Sequence, residues 1–222
     1  MRLDELGLRH GTDKASNRHD FLRTYERYLA GMRDSAAAVL EVGVLDGASL
    51  RMWADYFPRA AILGIDVKPE RAAHRTDRIG VEIGNAGDPK FLAAVAGRHG
   101  PFDLILDDGS HLWDHQQLAF RRLFPHLRPG GVFIIEDINT SYVPRYGRDR
   151  GALPTTAWMK YYLDFLLSVG TEPNAPTPGE DEVAQIWRNQ VAEACAIRKS
   201  LILVKRQARA PKADGPGGDA AV

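Results

Sequence analysis

The sequence has one cysteine, Cys195, in 222 residues. An internal disulfide is excluded, and the composition suits a reducing compartment. It has no excess of either charge: 29 Lys and Arg face 29 Asp and Glu. No global field therefore recruits nucleic acid or an acidic membrane. No apolar run reaches the roughly 20 residues of a membrane span. The N-terminal "MRLDELGLRHG" lacks the apolar stretch of a signal peptide. No repeat period is visible, and no G-x-G-x-x-G occurs. What is left to expect is a soluble, cytoplasmic protein acting on a small molecule, with no nucleic-acid or membrane partner. The length allows one sizeable core, and a homo-oligomer stays open.

What is present begins with a helical stripe. In "NRHDFLRTYERYLAGM" (Asn17–Met32) Phe21, Leu22, Tyr25, Tyr28, Leu29 and Met32 recur at helical spacing. Short apolar runs then alternate with helical patterns. "AAVLEVG", "AAILGID", "IGVEIGN", "FDLILDD" and "VFIIED" read as five buried strands. "SLRMWADYF", "PKFLAAVAGRHG" and "WDHQQLAFRRLFPHL" read as the helices between them, the last ended by "RPGG". This alternation predicts an α/β fold with a mostly parallel sheet covered on both faces. "TAWMKYYLDFLLSVG" (Thr156–Gly170) predicts a further helix, and the pattern of "EVAQIWRNQ" leaves helix and strand open. "VAEACAI" and "LILVKRQ" predict a closing antiparallel hairpin, the sixth and seventh strands of the sheet. "TEPNAPTPGED" and the tail read as loop and disorder by composition. The domain reading is an N-terminal helical segment or lid at 1–34, a catalytic domain at 35–206 and a disordered tail at 207–222.

The chemistry-bearing residues gather at strand ends, where open parallel sheets bind ligands. "LEVGVLDGASL" carries Glu41, Gly43, Asp46 and Gly47. Gly43 lets a ligand approach the backbone; both glycines also serve as plain turn residues. Asp66 ends the next strand, where an acid meets ribose hydroxyls or simply caps a loop. Glu41 and Asp46 would repel a pyrophosphate. They suit a zwitterionic, ribose-bearing, sulfonium cofactor, S-adenosylmethionine (SAM), in place of NAD. "LDDGSH" (Leu106–His111) sets Asp107, Asp108 and His111 around a glycine bend. Glu136 and Asp137 end the neighbouring strand. Asp108, Glu136 and Asp137 on one rim suit Mg²⁺, a hard ion with oxygen ligands. They equally suit loop capping or pairing with the arginines of "RYGRDR".

"VLEVGVLDGASL", "GID", "FDLILDDGSH", "LRPGG" and "IIEDI" together resemble the class I SAM-dependent methyltransferases, with their Rossmann-like fold. With "GTDK" (Gly11–Lys14), they are similar to the metal-dependent macrolide sugar O-methyltransferases of the mycinamicin and macrocin type. The similarity runs from about Leu8 to Arg206. It implies a SAM- and Mg²⁺-dependent O-methyltransferase of antibiotic biosynthesis, acting on a hydroxyl of a small molecule, a sugar of a natural product. It implies metal binding by Asp108, Glu136 and Asp137, with His111 as the base. It places Asp107 beside the cofactor in a secondary role. Family members often show "GDQ" where this chain has Gly84-Asn85-Ala86, and adenine contact falls to Asn85. Thr12 or Lys14 is expected at the methionine carboxylate, or else in a packed edge helix. Tyr142, Arg145 and Tyr146 are expected at the acceptor, or in a solvated loop. His115 is expected behind His111. Relatives of the mycinamicin type carry a further N-terminal domain, and this chain is expected to consist of the catalytic domain with a short segment before it. The competing classes are an NAD-dependent oxidoreductase and a non-catalytic SAM-binding module. The first lacks its glycine motif and a Tyr-x-x-x-Lys pair. The second would be expected to lose the base or an acid, and none is lost.

Overall fold

The computed structural model describes residues 1–147, 151–167 and 181–207. Five parallel strands come in the expected places: β1 (Ala38–Val42), β2 (Ala61–Asp66), β3 (Ile79–Ile83), β4 (Phe102–Asp107) and β5 (Leu127–Ile135). β6 (Val191–Ile197) and β7 (Ser200–Lys205) form the closing hairpin. The order is β3-β2-β1-β4-β5-β7-β6, with β7 antiparallel to both neighbours. Chain order reverses between β1 and β4, the place in such sheets where a crevice for ligands lies at the carboxyl ends.

Seven helices accompany the strands among the described residues. They are α1 (Leu3–His10), α2 (Leu22–Leu29), α3 (Ala48–Tyr56), α4 (Pro89–His99), α5 (Trp113–Leu123), α6 (Thr155–Leu167) and α7 (Glu182–Gln190). Side chains of a strand point alternately to opposite faces. Leu40, Val42, Ile105, Phe133 and Ile135 therefore enter one core with residues of α4 to α7. Val39, Leu104, Leu106, Val132 and Ile134 enter the other with α1, α2 and α3. None of the helices in the described residues is long and apolar enough to cross a membrane.

Several elements differ from the sequence pattern. α1 is absent from the pattern's predictions: its eight residues hold too few apolar positions to stand out, and Leu3 and Leu6 are buried through packing against α2 and α3. The predicted 17–32 helix is shorter, because Lys14 O accepts the amides of Phe21 and Leu22 and holds the chain in a turn before α2. "RPGG" does not end α5. A 3₁₀ turn at Phe124–His126 does, and β5 starts at Leu127 with a register shift against β4. "EVAQIWRNQ" is helical, its N-terminus capped by Asp181 accepting the Ala184 amide at 2.8 Å. The predicted loop 171–180 and the tail from 208 lie outside the described residues.

Candidate active site

Two adjoining cavities open at the carboxyl rim beside the strand-order reversal. One, of about 410 Å³, is bounded by Thr12, Glu41, Asp66, Asp108, His111 and Asp137 among others. The other, of about 190 Å³, is bounded by Ile65, Asn85, Ala86, Ser110 and His115 among others. Gly43, Asp66 and Gly109 border both. Gly43 has φ +95°, and a Cβ there would lie 2.2 Å from the Asp108 carbonyl oxygen. Only glycine allows the β1 and β4 loops this contact.

Asp66 sits at the junction. Its Oδ2 accepts the Val44 amide at 3.0 Å and its Oδ1 the Lys68 amide at 2.9 Å. A carboxylate has lone pairs beyond these two, so Asp66 is fixed and still able to accept a diol.

Strand alternation decides where the remaining acids point. Glu41 follows Val39 in β1, and Glu136 follows Ile134 beyond β5, so both face the α1–α3 side. There they meet Lys14, whose side chain is 2% exposed. Its Nζ bonds Asp108 Oδ2, donates to Glu136 Oε2 at 3.1 Å and lies 3.6 Å from Glu41 Oε1. Burial alone would depress this ammonium. Asp108, Glu136 and Glu41 outweigh burial and hold its pKa well above the ordinary value. Burial pushes Glu41 up to about 7, against the pull of Lys14. Tyr25 of α2 donates to Glu136 Oε1 at 3.0 Å and meets Ser200 Oγ at 2.7 Å. Trp53 Nε1 donates to Glu41 Oε2 at 3.0 Å.

Asp108, His111 and Asp137 form the group able to share one ion: one ligand atom from each lies within 4.8 Å of the others. His111 Nε2 is 4.0 Å from Asp108 Oδ1 and 3.7 Å from Asp137 Oδ2. His111 and Asp137 both have left-handed backbones, φ +57° and +53°. Such strained positions persist where surrounding bonds over-determine them. Here Thr140 ties the two, its Oγ1 reaching Asp137 O at 2.7 Å and His111 O at 3.3 Å. Trp113 Nε1 in turn holds Thr140 O at 3.0 Å.

Residues 40–138, which carry these strand ends, match a family described as a methyltransferase domain. The chain is 44% identical over 158 residues to L-olivosyl-oleandolide 3-O-methyltransferase of Streptomyces antibioticus, covering 68% of this chain and 40% of that protein. It is 41% identical over 152 residues to mycinamicin VI 2''-O-methyltransferase of Micromonospora griseorubida, covering 65% of this chain and 38% of that one. The chain thus spans about two fifths of the length of these relatives. Among solved structures, MycE methyltransferase from the mycinamycin pathway, in complex with Mg and SAH, superposes with a TM-score of 0.81 at 31% identity. That match covers 93% of this chain and 55% of MycE.

Within this chain, Glu41, Gly43, Asp66 and Thr12 come together at the larger cavity, as Asp108, Asp137 and His111 do. Gly47, φ +71°, caps α3 just behind the loop and borders neither cavity. Asn85 borders the smaller one, with its Oδ1 accepting the Gly87 amide at 2.8 Å. His115 borders the same cavity, its Nδ1 2.8 Å from Ser110 Oγ. Two expected residues lie elsewhere. Asp107 belongs to β4 and alternates away from Asp108, so it borders neither cavity. Its Oδ1 accepts the Gly109 amide at 3.4 Å, and its Oδ2 has no partner among the described residues. Burial pushes it up to about 7. Glu136 is turned to Lys14 and Tyr25, outside the group that can share an ion. Tyr25 and Thr140 escape sequence reasoning. Tyr25 falls on an apolar helical stripe and reads as core, and Thr140 has no motif around it.

Proposed function

We propose that this protein moves a methyl group from SAM to a hydroxyl of a glycosylated natural product, in a reaction that needs Mg²⁺. One observation carries the reading. The ion-sharing group and the acid-bearing β1 and β2 ends open into the same cavity. The sugar O-methyltransferases of antibiotic pathways it is similar to support the substrate class, as does the MycE complex with Mg, SAH and mycinamycin VI.

When bound, SAM supplies an electrophilic methyl group, and a divalent ion acidifies and orients a hydroxyl. The chain's residues do the rest. Asp66 accepts from the ribose diol, and the smaller cavity with Asn85 receives adenine. Asp46, at the edge of the larger cavity, puts negative charge where a dinucleotide would need its pyrophosphate, which disfavours NAD. Asp108 and Asp137 provide hard oxygen donors for Mg²⁺. Glu136, also expected as a ligand, would join them only by leaving Lys14 and Tyr25. His111 takes the acceptor's proton at Nε2, the nitrogen facing the two acids. Its Nδ1 is buried without a partner among the described residues. Tyr146 lies edge-on to His111, ring centroids 6.4 Å apart, and Arg145 stacks 5.0 Å above Tyr146. Tyr142, exposed at 74%, precedes them in the same loop, and the three side chains are the proposed partners of the acceptor's sugar. Holding acceptor and donor in line supplies much of the acceleration.

Calorimetry with S-adenosylhomocysteine and NAD, and turnover of glycosylated acceptors with and without chelator, test the proposal. S-adenosylhomocysteine should bind and NAD should not. Chelation should abolish transfer and Mg²⁺ restore it. Tight NAD binding alone, or full turnover in excess chelator, refutes the reading.

A further inference from the structure

Lys14 sits in the N-terminal segment, yet its ammonium lies at the centre of the site. We propose that Lys14 is a positioning residue of the metal site, holding Asp108 by Oδ2 so that Oδ1 stays turned toward His111 and Asp137. The inference rests on the metal reading above.

Three observations carry it. First, among the described residues Lys14 is the hydrogen-bond donor that the Asp108 side chain has, and the other Asp108 oxygen is the one facing His111. Second, the Lys14 backbone is itself anchored. Lys14 N lies 3.4 Å from Thr12 Oγ1, and Lys14 O accepts the amides of Phe21 and Leu22 at 2.9 and 3.3 Å. Third, the ammonium donates to Asp108 and Glu136 and lies at ion-pair distance, 3.6 Å, from Glu41 Oε1. Acids of the chain already surround it, so the carboxylate of a cofactor's methionine, the partner the sequence offers for Lys14, would have to displace one of them.

The charge balance gives the sign of the effect. An ammonium near a cation site repels the ion, which argues for tighter binding once it is removed. Removal also leaves Glu41 and Glu136 buried without their counter-charge and frees Asp108 to rotate. Losing the partner that orients a metal-binding carboxylate typically costs 10–100-fold in metal affinity. The orienting effect therefore wins.

The experiment measures Mn²⁺ affinity by electron paramagnetic resonance and S-adenosylhomocysteine affinity by calorimetry, for the wild type, Lys14→Met and Lys14→Gln. The expected result is Mn²⁺ binding weakened about 10–100-fold in both variants, with S-adenosylhomocysteine affinity changed less than about threefold. Unchanged or tighter Mn²⁺ binding overturns the proposal. So does selective loss of S-adenosylhomocysteine, which would make Lys14 a cofactor contact. If the wild type itself binds no Mn²⁺, the metal reading fails first and takes this one with it. Should both variants lose their folded circular dichroism, a crystal structure of the Mn²⁺-bound wild type decides. Lys14 Nζ on Asp108 Oδ2, with Oδ1 on the ion, supports the role, and Lys14 displaced from Asp108 overturns it.

Discussion

His111 stands 3.7 Å from Asp137 and 4.0 Å from Asp108, close enough to ligate an ion or to take a proton beside one. The two roles separate on substitution. His111→Ala should lower kcat by about 10²–10⁴ and leave Mn²⁺ affinity nearly unchanged, as single-turnover kinetics and metal titration will show. A parallel collapse of metal affinity would make the imidazole a ligand. Asp107, its neighbour in the motif, does something else. Its pKa rises from 3.8 to about 7 because burial penalises the charge. The folded state then holds this proton more tightly than the unfolded state does. The contribution to stability is complete below about pH 4 and is lost as pH rises to about 7. Thermal melts of metal-free protein should therefore fall across that window, and Asp107→Asn should flatten the fall and melt higher at pH 8. The sequence shows both aspartates in "DDGSH" but not which one faces the cavity. The last residue of β4 and the first beyond it point opposite ways, and that depends on where the strand ends.

The loops after β4 and β5 work as one element. The Thr140 hydroxyl shares its one proton between the carbonyls of Asp137, at 2.7 Å, and His111, at 3.3 Å, and Trp113 of α5 donates to the Thr140 carbonyl. Thr140→Val keeps the shape and removes the hydroxyl. It should cost about 1 kcal/mol of stability and weaken Mn²⁺ binding, read by denaturant melts and metal titration on the same samples. A stability loss without any change in metal binding would reduce Thr140 to a packing residue. Strands and their connecting helices were legible because each carries its own period. α1 and the start of α2 were not, because α1 shows little pattern of its own and the entry to α2 is set by Lys14 O. The β1 and β2 ends were legible as neighbours at one cavity because Glu41, Gly43 and Asp66 lie within one strand–helix–strand unit. The Lys14–Glu136–Tyr25 bonds span more than 100 positions along the chain, and no local spacing announces them.

Across the whole molecule, the parallel strands follow from the alternation of strand and helix and the closing hairpin from two adjacent apolar runs, as expected from the sequence; the strand order is read only from the structure. The N-terminal segment is built into this architecture. Leu3, Leu6, Leu22, Tyr25 and Leu29 are buried in the core that β1, β4 and β5 share with α3. The contact between Gly43 and the Asp108 carbonyl has a thermodynamic consequence. The backbone that would touch SAM and the backbone that carries Asp108, the proposed metal ligand, are in contact, so ordering one orders the other. The two ligands should then bind with a shared coupling free energy. Typical couplings are about 1–3 kcal/mol, and linkage requires each ligand to change the other's affinity by the same factor. Mn²⁺ titrations with and without S-adenosylhomocysteine, and the reverse pair, should close that cycle with one number above unity. A factor of one in both directions would mean that the two loops touch without transmitting anything.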